Sequence, residues 1–290
     1  MSERVDIGII GGSGLYQMDG FTDLKEVQVE TPFGPPSDAL MVGNLEGNRV
    51  AFLPRHARGH RILPHELNYC ANVFAMKQLG VQWILSVSAV GSLKQEYEPL
   101  HVMVPDQFVD RTRQRRSTFF GRGLVAHVAL AHPFCPKLSD VMTEACAEAG
   151  TTHHTGGTYV CIEGPQFSTR AESELYRSWG MDIIGMTNLQ EARLAREAEI
   201  CYATLALITD YDCWHPEHDS VTADQIIANL GRNVQSAQAV LRAAVRRLPI
   251  DRGCECETAL KNALITAPDL VPEKIKHELE PIIGKYMGQE

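Results

Sequence analysis

Four apolar, β-prone runs constrain this chain more than any other feature: Val5–Ile10, Trp83–Val87, Gly157–Ile162 and Ile200–Ile208. Each has the length of a buried strand, and segments of helical period lie between them. That alternation predicts a largely parallel or mixed sheet with crossover helices. Asn68–Leu79 puts Ala71, Phe74, Ala75 and Leu79 on one side of a helix, and Leu138–Ala149 reads as a helix closed by Gly150. Ser168-Thr169 offers an N-cap for a helix to about Trp179, with Gly180 as its stop. Glu191–Ala198 and a long amphipathic stretch from Thr222 to about Leu248 complete the helical set. Ala39–Leu45 and Arg49–Leu53 alternate like hairpin strands, Val102–Val104, Gln107–Val109 and Asp182–Ile184 are strand-like, and Arg111–Arg116 reads as a basic exposed loop. The expected architecture is α/β: a single domain over residues 1–250, with a central mixed β-sheet flanked by helices. Residues 251–290 follow as a short helical extension that carries Cys254-Glu255-Cys256.

The last apolar run stops abruptly at Asp210 and Asp212. If the strand continues through them, the two carboxylates point to one side, at the carboxyl end where open α/β folds receive ligands. Other apolar runs also end in small or hydroxyl residues: Gly11-Gly12-Ser13-Gly14, Ser88-Ala89 and Met186-Thr187. Glycines let backbone N–H groups approach an anion closely, and Ser13 adds a hydroxyl. The glycine loop is not a dinucleotide fingerprint, because Gln17 stands where that pattern needs glycine, and no Walker A lysine follows it. Arg55-His56 adds a cation and an imidazole. Each exit alone is explained as a turn; their shared position at strand ends suggests one anion site beside one base-recognition site.

A net charge of −9 argues against nucleic acid or an anionic membrane as the main partner, so an anion needs a locally built site. No run approaches the ~18 apolar residues of a membrane span and the N-terminus has no signal-peptide core, which leads to an expected cytoplasmic location. No metal site is expected. His56, His60 and His65 share no face, and Cys254-Glu255-Cys256 has no second pair at zinc spacing. That close pair is either unreactive or a redox or disulfide pair.

The ordered series Gly8-Ile9-Ile10-Gly11-Gly12-Ser13-Gly14, Thr31-Pro32-Phe33-Gly34, Arg55-His56, Val90-Gly91-Ser92-Leu93, Asp106–Thr112, Glu163-Gly164-Pro165-Gln166-Phe167-Ser168, Met186-Thr187 and Asp210–Trp214 resembles the trimeric purine nucleoside phosphorylases. The likeness is to the branch acting on 5'-methylthioadenosine and covers about residues 5–245. It implies phosphorolysis of that nucleoside to adenine and 5-methylthioribose 1-phosphate, with phosphate as co-substrate and no metal or organic cofactor. Broader or 6-oxopurine phosphorolysis, or an inert nucleotide-binding module on the same fold, are the alternatives. Position by position, the resemblance makes Ser13, Arg55, His56, Ser88, Ala89 and Thr187 phosphate ligands. It sets Met186 against the ribose, Phe167 beside the purine, and Ile226 and Ile227 around the methylthio group. His127 is the residue that reaches a neighbouring subunit's site in a homotrimer.

Chemically, cleavage of the purine–ribose bond leaves negative charge on the base, so N7 needs a proton. A carboxyl whose pKa is raised in a partly dry pocket supplies it, a role assigned to Asp210, while Asp212 accepts from the 6-amino group or orients Asp210. Asn188-Leu189-Gln190-Glu191 departs from the Thr-Val-Pro-Glu common after the Met-Thr pair.

Overall fold

The computed structural model describes residues 4–12, 15, 18–216 and 223–288, and for 223–228 and 230 the backbone alone. The first apolar run forms β1 (Ile7–Gly11), buried throughout. After β2 (Thr22–Val27), the alternating segments form the antiparallel hairpin of β3 (Leu40–Leu45) and β4 (Asn48–Pro54). Asn68 caps α1 (Tyr69–Gln78) by accepting from the Ala71 N–H. There follow β5 (Trp83–Ser92), β6 (Val102–Val104), β7 (Gln107–Arg111) and α2 (Pro136–Glu148), with Pro136 in the first turn where its missing N–H costs nothing.

Next come β8 (His153–Thr155), β9 (Thr158–Ile162) and α3 (Arg170–Ser178), the last opened by a full capping box between Thr169 and Glu172. β10 (Ile183–Gly185), α4 (Asn188–Glu197), β11 (Cys201–Asp210) and α5 (Ala223–Arg247) finish the catalytic-sized core. The tail carries α6 (Glu273–Glu278) and α7 (Glu280–Ile283). Leu260, Val271, Ile275, Leu279 and Ile283 bury this tail against α1, in the same cluster as Val73, Phe74 and Ile200. The fold is thus an α/β domain with a mixed sheet between helices, closed by a helical C-terminal region. Strands β2 and β8 had no counterpart in the sequence reading: β2 is exposed at the sheet's edge, so no apolar alternation marks it. No helix among the described residues is long and apolar enough to cross a membrane.

The sheet branches at β5. β1 pairs with it in parallel from Trp83 to Ser86 and then leaves, whereas β10 pairs antiparallel only at Gly91 and Ser92. On the other edge β11 follows β5 in parallel from Trp83 to Gly91. Residues 87–90 therefore have no strand on the β1 side among the described residues. The fork opens beside the carboxyl ends of β1 and β11, between the segments that follow β4 and β10.

Cys254 and Cys256, unaccompanied by spacing, are met by Cys135 at the start of α2 and Cys201 at the start of β11. Sequence separations of more than fifty residues hid that meeting.

Candidate active site

The fork is lined by charge held under it. Arg55, just past β4 and 3% exposed, donates from Nε and Nη2 to both carboxylate oxygens of Glu191 at 2.5 and 3.1 Å. Nη1 donates to the Val87 carbonyl at 2.8 Å and Nη2 also to Ser86 Oγ at 2.7 Å. Among the described residues, these contacts engage four of the five guanidinium N–H groups. Burial works against the Arg55 charge, but the Glu191 carboxylate beside it prevails and holds the guanidinium protonated. Tyr202 and Ser86 complete the shell of Glu191, donating to Oε2 at 2.8 and 2.9 Å.

His56 follows directly. Its Nδ1 lies 2.8 Å from the Ile62 carbonyl, which can only accept, so Nδ1 carries the hydrogen and Nε2 of the neutral ring is an acceptor. Burial first, then the Arg55 charge, pushes its pKa down to about 4. The ring that enters this site near neutral pH is therefore an acceptor at Nε2. It can accept a hydrogen bond from a hydrogen phosphate.

Ser88, on β5, and Thr187, just past β10, meet with their hydroxyl oxygens 3.4 Å apart. Ala89 lies beside them on β5, paired there with β11 on one side only among the described residues. Thr187 is the N-cap residue of α4, and its hydroxyl is directed to Asn188 Oδ1 at 3.0 Å. The departure at Asn188-Leu189-Gln190-Glu191 forms the buried first turn of α4. Asn188 Nδ2 donates to Thr204 Oγ1 at 2.6 Å, and Glu191 receives Arg55. Polar residues in that turn support the fork from below.

At the end of β11 the expectation of one strand through both acids does not hold. A bulge falls between Ile208 and Asp210, the strand stops at Asp210, and Asp212 enters a 3-10 turn with φ of 45°. The acids are brought together by the turn and not by alternation: the Asp212 N–H donates to Asp210 Oδ1 at 2.8 Å. Thr209 Oγ1 donates to Asp210 Oδ2 at 2.6 Å. Asp210 is half-buried at the mouth, whereas Asp212 is 4% exposed and accepts from Ser173 Oγ at 2.6 Å. Burial pushes the Asp212 carboxyl up to about 6; the Ser173 hydrogen bond opposes this and the Asp210 charge adds to it. Gly91 makes the approach possible, since a Cβ there would lie 3.0 Å from Asp210 Oδ1 and 3.4 Å from Asp212 Cβ.

Met186 sits between the two halves, half-buried, with Gly164 against its sulfur: a Cβ on Gly164 would come within 2.6 Å of Sδ. Phe167 stands 48% exposed on the loop after Gly164-Pro165. Arg115 ties these pieces together. Its side chain, 1% exposed, reaches Glu163 Oε1, Tyr69 Oη and Gln190 Oε1 at 3.0–3.1 Å and donates to the carbonyls of Ile162, Glu163 and Met186. A basic run had marked this residue as exposed loop; the acceptors that bury it come from α1, β9 and α4, which no local pattern could reveal.

The fold does not join every expected residue within one chain. His127 is exposed in the segment before α2, its N–H bound to the Ala263 carbonyl of the tail at 2.9 Å. Ser13 lies outside the described residues. Ile226 and Ile227 fall in the first turns of α5, with side chains likewise outside the description. Beyond them, Asn229 and Asn233 of α5 donate to the carbonyls of Thr209 and Ile208 at 2.7 and 3.1 Å, fixing that helix to the end of β11.

Residues 6–246 match the model of the phosphorylase superfamily. The S-methyl-5'-thioadenosine phosphorylase of Koribacter versatilis is 60% identical over 287 residues, spanning 99% of this chain and 98% of the relative. That of Gloeobacter violaceus is 61% identical over 285 residues, spanning 97% and 95%. A crystal structure of a methylthioadenosine phosphorylase from an Antarctic soil metagenomic library superposes with a TM-score of 0.92 at 51% identity, over 96% of this chain and 99% of that one. With its sheet fork, buried arginine and paired acids, the chain belongs to the phosphorylase superfamily.

Proposed function

We infer that the protein catalyses phosphorolysis of S-methyl-5'-thioadenosine, giving adenine and 5-methylthioribose 1-phosphate. The observation that carries this reading is identity of 60% to an S-methyl-5'-thioadenosine phosphorylase across 99% of the chain. The geometry agrees with the chemistry. Phosphate is the co-substrate, and its place is the fork, among Arg55, His56, Ser88, Ala89, Thr187 and the loop of Ser13. A phosphate oxygen attacks C1' while the C1'–N9 bond breaks and N7 takes a proton. Held reactants and fixed charges supply most of the acceleration.

Asp210 is the proton donor in this reading, placed at the end of β11 beside Asp212, the acid whose carboxyl burial raises. Asp212 is more deeply buried and holds Asp210 through its backbone N–H, and the Asp210 charge helps burial to raise the Asp212 carboxyl. Acceptors at this end favour a 6-amino over a 6-oxo purine. Met186 lies against the ribose, Phe167 flanks the base, and the first turns of α5, with Ile226 and Ile227, supply the apolar wall for the methylthio group. A homotrimer in which His127 enters a neighbouring site is supported by the exposure of that side chain in the single chain. A cytoplasmic location is part of the same reading.

The test is a side-by-side assay with methylthioadenosine, adenosine and inosine, with and without phosphate. Phosphate-dependent release of adenine from methylthioadenosine is the expected result. Preferred turnover of inosine, or hydrolysis without phosphate, would sink the reading.

A further inference from the structure

Cys135, Cys201, Cys254 and Cys256 bring four sulfur atoms together within 4.8 Å of one another. They come from three separate parts of the chain. Cys135 is the N-cap residue of α2, Cys201 is the first residue of β11, and Cys254 and Cys256 bracket the start of the tail. Cys254 Sγ lies 3.8 Å from Cys135 Sγ and 3.5 Å from Cys201 Sγ. We propose that these four cysteines form a tetrathiolate site for one zinc ion, which fastens the C-terminal tail to the core.

Several observations point to an ion shared by all four sulfurs. Zinc bonds to thiolate at about 2.3 Å, so the edges of a ZnS4 tetrahedron are about 3.8 Å, matching the sulfur separations found here. A disulfide needs only two sulfurs to meet, and a second pair has no reason to converge on the first. Mutual closeness of four sulfurs is instead what a single central ion imposes. Cys135, Cys201 and Cys256 are buried and Cys254 is half-buried, as in closed structural zinc sites with no position left for water or substrate. All-sulfur, tetrahedral ligation selects zinc over the hard divalent ions. The N-terminal end of α2 at Cys135 favours a thiolate there. Metal binding is redox-neutral: four S–H bonds lose their protons, four Zn–S bonds form, and no oxidant is required.

Placement decides the role. β11 begins at Cys201 and ends at Asp210, so about nine residues of extended strand, or about 30 Å, separate the sulfurs from the acid pair. The ion is therefore structural. It joins α2, the entry of the strand that delivers Asp210, and the tail whose apolar residues cover α1.

The test is metal analysis of the full-length protein purified without chelator, alongside Cys254→Ser/Cys256→Ser. The expected result is about one zinc per chain in the parent and at least tenfold less in the double variant. Cobalt(II) loaded into the metal-free parent should give the intense sulfur-to-metal charge-transfer and visible bands of a tetrahedral tetrathiolate. This second measurement needs no variant to fold. Stripping the metal should lower the thermal midpoint, and zinc should restore it. Parent protein that, fully reduced and offered zinc, takes up none would overturn the proposal. Disulfides among these cysteines in protein as isolated, or zinc retained by the double variant, would do the same.

Discussion

Asp212 donates its backbone N–H to Oδ1 of Asp210 at 2.8 Å, so the deeper acid holds the shallower one by its main chain while its own carboxylate turns to Ser173. Asp210→Asn keeps an oxygen for that N–H and nearly the same shape, but cannot give a proton to N7. Turnover of methylthioadenosine at saturating phosphate should fall by about 10²–10⁴ with the fold intact. A variant within tenfold of the parent would remove Asp210 from the acid role.

Burial raises the Asp212 carboxyl to about 6 from 3.8. The folded state therefore binds a proton more readily than the unfolded chain. The stability this adds is complete below 3.8 and is lost as pH rises through about 6. A raise of that size corresponds to about 3 kcal/mol. Asp212→Asn has no such dependence and can still accept from Ser173. The variant should therefore gain on the parent, in unfolding free energy from urea titration, between pH 4 and pH 7, by up to about 3 kcal/mol. A constant difference across that range would show that Asp212 does not titrate there.

Gly91 sets the distance between the fork and the acids. In Gly91→Ala the new methyl would meet Asp210 Oδ1 at 3.0 Å and Ile184 Cγ2 at 3.1 Å, and both neighbours are held by pairing or packing. Turnover should drop more than tenfold, with stability falling by about 1–3 kcal/mol as for other overpacked sites. Unchanged kinetics would mean that Asp210 need not sit where the structure has it.

Arg55→Lys keeps the charge and loses the planar fork that reaches Glu191, Ser86 and Val87 together. The KM for phosphate should rise by about tenfold or more, equivalent to about 1.4 kcal/mol or more of lost binding, while the KM for the nucleoside changes less. Equal changes in both would point to general damage to the sheet fork instead.

Most of the fold was legible because buried strands and capped helices leave local patterns: Thr169 with Glu172 opens α3, and Gly180, at φ of 79°, ends it. The site was legible as strand exits, and their convergence came from resemblance more than from spacing. Three things were not legible. The bulge and turn after Ile208 override strand alternation, since both depend on how β11 ends against β5. Glu191 and Arg115 look like surface charges on their own segments, and partners up to 136 residues away hold them in the interior. The four cysteines meet for the same reason, across α2, β11 and the tail.

Arg115 offers the sharpest contrast between sequence appearance and role. Arg113, two residues earlier, is exposed and contributes its backbone N–H to Glu163, whereas the Arg115 guanidinium is buried among side-chain and carbonyl acceptors around Met186. Lysine has three donors from one point and cannot span Glu163, Tyr69 and Gln190 at once. Arg115→Lys should therefore loosen Met186 and the Glu163-Gly164 loop. The expected signature is a KM for methylthioadenosine raised by about tenfold and a loss of about 2 kcal/mol in stability, typical of a broken buried hydrogen-bond network. Arg113→Lys, changed in the same basic run, should stay within about 0.5 kcal/mol of the parent. Steady-state kinetics and thermal denaturation of the two variants side by side check this, and equal behaviour would return Arg115 to the exposed loop that its sequence suggests.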